Sequence, residues 1–248
     1  MNRVILSDST DETILAVTRQ HKLVDLEIEQ QINTEIVGCI YKGIVKNIVP
    51  AVDGIFVDIG IGKNAFLRRK DLLNEKRFPT EGSPILAQVI KSDTDMKGAL
   101  ITEKISMLGK YAVTLSGTGY IGVSKKIRSE SVRKRLKEIG KEICAEHMGL
   151  IIRTAAENAD MDEFRKDITR LKENWDIIQK RFRMEKSPTL LYRESDIIVK
   201  ALRDYVNKGT EILITDNRKI YERICKLNES EHTLSLIHIS EPTRHAQI

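Results

Sequence analysis

The stretch from Ile40 to Leu67, I-Y-K-G-I-V-K-N-I-V-P-A-V-D-G-I-F-V-D-I-G-I-G-K-N-A-F-L, constrains this chain more than any other. It holds three short strand-like segments in close succession. A β-branched run from Ile40 turns at Pro50, a second strand spans Ile55 to Ile59 and ends at Gly60 and Gly62, and a third begins at Ala65 and runs to Arg68. Strands this short, with glycine at their corners, suit a small closed barrel, because glycine accepts the sharp bends that barrel corners need. Two aromatics, Phe56 and Phe66, stand among Lys42, Lys46, Lys63, Arg68 and Arg69. Aromatic faces stack on bases and cations meet phosphates, so the segment is a candidate surface for single-stranded nucleic acid. Phenylalanines also fill barrel cores, and periodicity leaves both readings open.

The barrel is expected to continue past Leu67. Ile85 to Ile90 reads as a fourth strand and Ala99 to Ile105 as a fifth, separated by the polar tip Ser92 to Gly98. Five strands with these turns fit an OB-type barrel. Lys97 lies on the loop before the last strand, within reach of a bound strand's phosphate or simply in solvent.

Outside the barrel the periodicities differ. Arg3 to Ser7, Thr13 to Thr18 and Lys22 to Ile28 read as strands, the last two joined through Arg19-Gln20-His21, with Leu15 and Val17 alternating on one arm and Val24, Leu26 and Ile28 on the other. Three strands alone bury little, so this group is expected to pair with something later in the chain. Glu29 to Glu35 reads as a polar linker. Lys110 to Leu115 is a predicted strand, and Ser129 a predicted cap for a helix whose apolar face is Val132, Leu136, Ile139 and Ile143. Arg133, Lys134, Arg135 and Lys137 cover its other faces, as a solvated surface or an RNA-facing one.

Gly149 to Thr154 is a predicted strand ending in Arg153 and Thr154. A guanidinium and a hydroxyl beside free backbone amides make a phosphate cradle, although the dipeptide alone is unspecific. Asp160 and Glu163 resemble a capping box, and the helix that follows to about Met184 carries the stripe Phe164, Ile168, Leu171, Trp175, Ile178 and Phe182. After Ser187-Pro188, Leu190 to Tyr192, a helix through Ile197, Ile198, Ala201, Leu202 and Tyr205, a strand Glu211 to Thr215 and a helix from Lys219 to Leu227 suggest a separate α/β unit whose sheet the N-terminal strands could complete.

Charge and cysteine content exclude some classes. With 248 residues, net charge +5 and pI about 9.0, the chain leans mildly toward an anionic partner. No apolar run approaches the roughly 18 residues that span a membrane. Asp8, Asp11 and Glu12 interrupt the start, against a signal peptide. Cys39, Cys144 and Cys225 are too far apart in sequence for a disulfide framework or a zinc site, and a cytoplasmic setting is expected.

Taken together, V-D-L-E-I-E (Val24 to Glu29), I-Y-K-G-I-V (Ile40 to Val45), G-I-F-V-D-I-G (Gly54 to Gly60), A-F-L (Ala65 to Leu67), K-G-A-L (Lys97 to Leu100), G-V-S-K-K-I (Gly122 to Ile127), G-L-I-I-R-T-A (Gly149 to Ala155) and R-D-Y (Arg203 to Tyr205) resemble, in order and spacing, the N-terminal half of the bacterial ribonuclease E/G family, in its shorter ribonuclease G-like branch. The resemblance implies an α+β multidomain fold: an RNase H-like α/β subdomain split in sequence (1–35 and 196–233), with an inserted OB-fold S1 barrel (36–104) and an α/β 5′-sensor subdomain (105–195). It implies RNA contacts at Phe56, Phe66 and Lys97, and a 5′-monophosphate pocket at Gly109, Val113, Arg153 and Thr154, where arginine and threonine hold the phosphate while glycine and valine wall the terminal base. Single-stranded RNA with a 5′-monophosphate is the implied partner, and a homo-oligomer the implied state at full length.

The family cleaves RNA with a magnesium ion held by two aspartates on a further subdomain, and links protomers through zinc on a cysteine pair. Neither set is matched in this chain, so no catalytic or metal residue is assigned, and the chain is expected to be inactive alone. Leu234 to Arg244 departs from the family pattern and reads like a translated sequencing adapter, so 234–248 is expected to be non-native and His238 and His245 are not read as ligands. A different class, a non-catalytic RNA-binding protein with an S1 domain alone, needs neither the Gly149 to Ala155 motif nor the flanking α/β segments.

Overall fold

A computed structural model describes residues 2–30, 36–76, 78–94, 97–144, 148–193, 196–206, 212–231 and 238–239. The chain divides into two compact units, Met1–Glu35 with Ser195–Ile248, and Ile36–Glu194.

The first unit opens with an antiparallel meander, β1 (Asn2–Asp8), β2 (Glu12–Arg19) and β3 (Lys22–Gln30). Gln20 and His21 make the two-residue turn between β2 and β3, both with positive φ (50° and 63°), as a type I′ hairpin turn requires. Val4, Leu6, Leu15 and Val17 are buried as alternation predicts. The row on β3 is not: Val24, Leu26 and Ile28 are 51–54% exposed, so strand periodicity was read correctly there but did not signal burial. Nor is Glu29 a linker residue, since β3 extends to Gln30; the rest of that expected linker, 31–35, lies outside the described residues.

The second unit begins with the barrel, built from β4 (Ile40–Val49), β5 (Gly54–Asp58), β6 (Ala65–Arg68), β7 (Pro84–Lys91) and β8 (Leu100–Thr102). β4–β5, β5–β6, β4–β7 and β7–β8 pair antiparallel, and a parallel β6–β8 pairing completes the closure. Alternation fixes which side chains face inward: Ile55, Val57, Ala65, Leu67, Val89 and Ile101 are all 2% exposed or less. The fifth strand is shorter than expected, three residues rather than the predicted Ala99 to Ile105.

Next come β9 (Ser106–Leu108), β10 (Ala112–Ser116), β11 (Ile121–Val123), α1 (Glu130–Ile143), β12 (Met148–Ile152), α2 (Met161–Met184) and β13 (Thr189–Tyr192). The strand predicted from Lys110 starts at Ala112, because Gly109 to Tyr111 is the tip of the β9–β10 hairpin. A four-stranded sheet in the order β11-β12-β10-β9 shares one core with α1 and α2, with Leu136, Leu150, Ile152, Phe164 and Ile168 completely buried. Ser129 accepts a hydrogen bond from the Val132 amide and caps α1 as expected. Asp160 caps α2 by accepting from the Asp162 amide, but Glu163 does not close a capping box; its carboxylate accepts the Tyr111 hydroxyl at 2.5 Å.

Two long-range links were not foreseen. β13 pairs antiparallel with β4, so Leu190 to Tyr192 extends the barrel sheet, and Arg181 near the end of α2 donates to the Leu190 and Leu191 carbonyls. Buried Gln88 of β7 donates to the Gly38 and Ser106 carbonyls at 2.9 and 2.8 Å and accepts from the Ser106 amide, stitching the barrel to the start of β9.

The first unit resumes with α3 (Ile197–Asp204), β14 (Ile212–Thr215), α4 (Arg218–Glu231) and β15 (His238–Ile239). β14 pairs in parallel with β1, giving a mixed sheet β15-β14-β1-β2-β3 in which the N-terminal strands are completed by later chain. Ile197, Ile198 and Ala201 of α3 and Ile220 and Ile224 of α4 pack on Val4, Leu6, Leu15 and Leu213. Of the segment 234–244 only His238 and Ile239 are described, in parallel pairing beside β14; the remainder lies outside the described residues.

Candidate RNA interface and 5′-end pocket

On the barrel surface Phe56 and Phe66 are direct cross-strand partners. Their neighbours in sequence, Ile55, Val57, Ala65 and Leu67, point inward, so both rings face outward and are half-buried. Their centroids are 5.4 Å apart with planes at 52°. The structure thereby resolves the alternatives left by periodicity: neither ring is in the barrel core. Gly54 makes the arrangement possible, since a Cβ there would stand 2.2 Å from the Phe66 ring. Register continues the row to Asn47, opposite Phe56, and Leu100, beside Phe66. Asn47 is exposed and supplies an amide next to the rings, a contribution that only the register reveals.

Lys97 is exposed on the loop entering β8, as expected. Thr94 and Lys97 exchange backbone hydrogen bonds, and Lys63, from the β5–β6 connection, donates to the Thr94 carbonyl at 2.9 Å, which holds a second cation against this loop. Other cations of this segment have partners within the protein. Lys42 donates to the Glu185 carbonyl at the C-terminal end of α2, where the helix dipole favours a positive charge, and lies over the Phe182 ring. Arg68 pairs with Asp71, Arg69 with Asp53 and the Phe78 ring, and Lys46 with Asp58.

The second candidate site lies at one end of the four-stranded sheet. β12 ends at Ile152, and the next residue, Arg153, gives its amide to the Tyr111 carbonyl at 2.7 Å. Its guanidinium donates through Nη1 to the carbonyls of Gly109 (2.7 Å) and Lys110 (3.5 Å). Thr154 is exposed at the start of a short 3₁₀ segment, with its hydroxyl 3.0 Å from that of Ser124. Val113 sits between Leu108 and Ile151 in register, and all three face outward as an apolar strip. The structure thus brings Gly109, Val113, Arg153 and Thr154 to one sheet end and adds Ser124. Arg133 is not a solvated cation of α1 as the sequence suggested; its guanidinium donates to the Ser124 and Ile127 carbonyls and holds that loop. Tyr111 is buried beside Glu163, and burial first, then that carboxylate, push its hydroxyl's pKa well above the usual range.

Among the described residues Cys39, Cys144 and Cys225 form no disulfide, and no group of three or more His, Cys, Asp or Glu is placed to hold an ion. No helix among the described residues is long and apolar enough to cross a membrane.

An OB-type barrel with an outward aromatic pair and loop lysines defines a class of single-strand nucleic-acid-binding module, and residues 34–102 match the S1 RNA-binding domain. Residues 106–245 match the ribonuclease E/G family, and the chain belongs to that family. It is 32% identical over 238 residues to ribonuclease G of Escherichia coli K12, covering 89% of this chain and 49% of that protein. It is 31% identical over 257 residues to ribonuclease G of Salmonella typhimurium SL1344, covering 96% and 53%. To ribonuclease E of Buchnera aphidicola subsp. Schizaphis graminum it is 30% identical over 239 residues, covering 90% of this chain and 25% of that one. The chain spans about half the length of the ribonuclease G relatives it matches.

Proposed function

We propose that this chain is the RNA-binding and 5′-monophosphate-sensing half of a single-strand-specific endoribonuclease acting in cytoplasmic RNA processing and decay. The observation that carries this is the convergence of the Arg153 guanidinium, the Thr154 hydroxyl and the Gly109 turn at one sheet end, within the same compact unit as the Phe56–Phe66 face. A terminal phosphate dianion takes charge-assisted hydrogen bonds from a guanidinium, and the apolar strip beside it suits a base. Phe56 and Phe66 stack on bases, while Lys97 offers its charge to the backbone. The first unit is a split RNase H-like subdomain; a mixed sheet with β14 parallel to β1 and helices α3 and α4 on one face supports that assignment. On this proposal magnesium-dependent hydrolysis and a zinc-linked homo-oligomer rest on residues outside the described ones, and the chain as given does not cleave RNA. Magnesium-dependent cleavage by nuclease-free material would overturn that part.

The sensing role is tested with matched single-stranded oligonucleotides ending in a 5′-phosphate or a 5′-hydroxyl. The chain should bind the phosphate form more tightly. Arg153→Ala should remove that preference and leave hydroxyl-ended binding nearly unchanged, and Arg153→Lys should be a poor substitute because lysine lacks the planar fork. Equal loss for both oligonucleotides would give Arg153 a structural role instead.

A further inference from the structure

We infer that Asp167 is the positioning residue of the 5′-end pocket: its carboxylate orients the Gly109–Tyr111 turn and, through it, aims Arg153. This rests on the 5′-phosphate reading of that pocket. Asp167 lies inside the apolar stripe of α2, between Phe164 and Leu171, and is 7% exposed. A charge so buried needs partners. Oδ2 accepts the Tyr111 amide at 2.8 Å, Oδ1 accepts the Lys110 amide at 3.2 Å, and Arg170 Nη2 stands 3.3 Å from Oδ1.

The peptide plane converts those bonds into an aim. The carbonyl of Gly109 and the amide of Lys110 belong to one planar unit and point in opposite directions, as do the carbonyl of Lys110 and the amide of Tyr111. Asp167 holds the two amides from one side. The two carbonyls on the other side are those that accept Arg153 Nη1, at 2.7 and 3.5 Å. Removing the carboxylate frees both planes to rotate and releases the guanidinium from its orientation.

Gly109 belongs to the same device. A Cβ at that position would stand 2.5 and 2.8 Å from the two Asp167 oxygens and 2.8 Å from Leu171 Cδ1, so only glycine lets the carboxylate approach the turn. The glycine expected to wall the terminal base is required, in this geometry, by the carboxylate behind it.

Asp167→Asn keeps the shape but turns an amide NH2 toward a backbone N–H. The full chain would be compared as wild type, Asp167→Asn, Gly109→Ala, Arg153→Ala and Ser129→Ala, measuring affinity for 5′-phosphate and 5′-hydroxyl oligonucleotides and a thermal melt for each. Asp167→Asn and Gly109→Ala should each lower the phosphate-over-hydroxyl ratio by about tenfold, the scale of one lost charge-assisted hydrogen bond, and in Asp167→Asn, which touches no part of the RNA, hydroxyl-ended affinity should hold within about twofold. Ser129→Ala, which weakens the cap of α1, should lower the melt and leave the ratio alone. A folded Asp167→Asn protein with an unchanged ratio would overturn the inference while leaving the 5′-phosphate reading in place, and so would a parallel loss for both oligonucleotides. A wild type without preference, or an Arg153→Ala protein that keeps it, would instead sink the 5′-phosphate reading, and the role of Asp167 with it.

Discussion

The barrel face and the proposed 5′-end site belong to one compact unit but are built in different ways. The barrel face is made by strand alternation: Phe56 and Phe66 point outward because Ile55, Val57, Ala65 and Leu67 point inward, and the two rings meet across adjacent strands. The pocket is made by polar contacts far apart in sequence: Arg153 reaches back to Gly109 and Lys110, while Asp167 and Glu163 reach back to Lys110 and Tyr111. A stacking surface tolerates any base and needs only exposed rings, whereas a phosphate pocket needs donors fixed in direction. Binding should therefore survive many substitutions around the barrel face, and sensing should survive few around the turn.

The largest separation of the two should appear in stability. Phe164→Ala, at a completely buried ring behind the pocket, should cost about 3–5 kcal/mol in chemical denaturation, whereas Phe56→Ala should cost well under that. Similar losses would mean that the barrel phenylalanine is a packing residue after all. In RNA affinity the order reverses: Phe56→Ala or Phe66→Ala should weaken single-strand binding by about 1–3 kcal/mol per lost stack, for phosphate- and hydroxyl-ended RNA alike. A loss confined to phosphate-ended RNA would contradict the division of labour. Smaller still, Ser129→Ala should cost about 1 kcal/mol of stability as a lost helix cap, without touching stacking.

The smallest expected effect sits just after β8. Burial raises the pKa of the Glu103 carboxyl, opposed by the hydrogen bond its Oε2 accepts from the Leu73 amide. A carboxyl raised on folding favours the native state when protonated and penalises it as pH rises through the folded value. Glu103→Gln keeps an acceptor without the charge, so it should stabilise the protein at neutral pH, with the gain vanishing in acid. Melting curves across that range would check it; a gain that grows in acid would reverse the sign of the assignment.

What could be read in the sequence divides along the same line. Short strands cornered by glycine gave the barrel, and the 3.6-residue period gave α1 and α2, because a repeating local pattern records which face is buried. The outward direction of Phe56 was also implicit in its alternation with Ile55 and Val57, although the choice between stack and core needed the closed barrel. β13 joining β4, the Gln88 stitch and the capture of Lys42 by the end of α2 left no periodic trace, since each is a single polar or edge pairing across many residues. Asp167 did leave a signal: a lone acid within the buried stripe from Phe164 to Leu171 must be satisfied by something. On β3 alternation recorded the strand but not whether a partner covers its apolar row.

The pairing of β1 with β14 also sets a timetable. Ser7 and Asp216, joined by a hydrogen bond at the ends of these strands, are 209 positions apart in the chain. At about 5–20 residues per second of synthesis, β1 would emerge roughly 10–40 s before its parallel partner exists. The barrel strands and then the four-stranded sheet are complete in the interval, so assembly proceeds from the middle of the chain outward and the N-terminal meander waits longest. During that wait one edge of β1 is unsatisfied, a period in which a chaperone would have most to protect. Proteolysis of ribosome-stalled chains should find the barrel protected at a length of about 150 residues, once the ribosomal exit path is cleared, and the meander protected only when β14 has emerged; early protection of the meander would contradict this order.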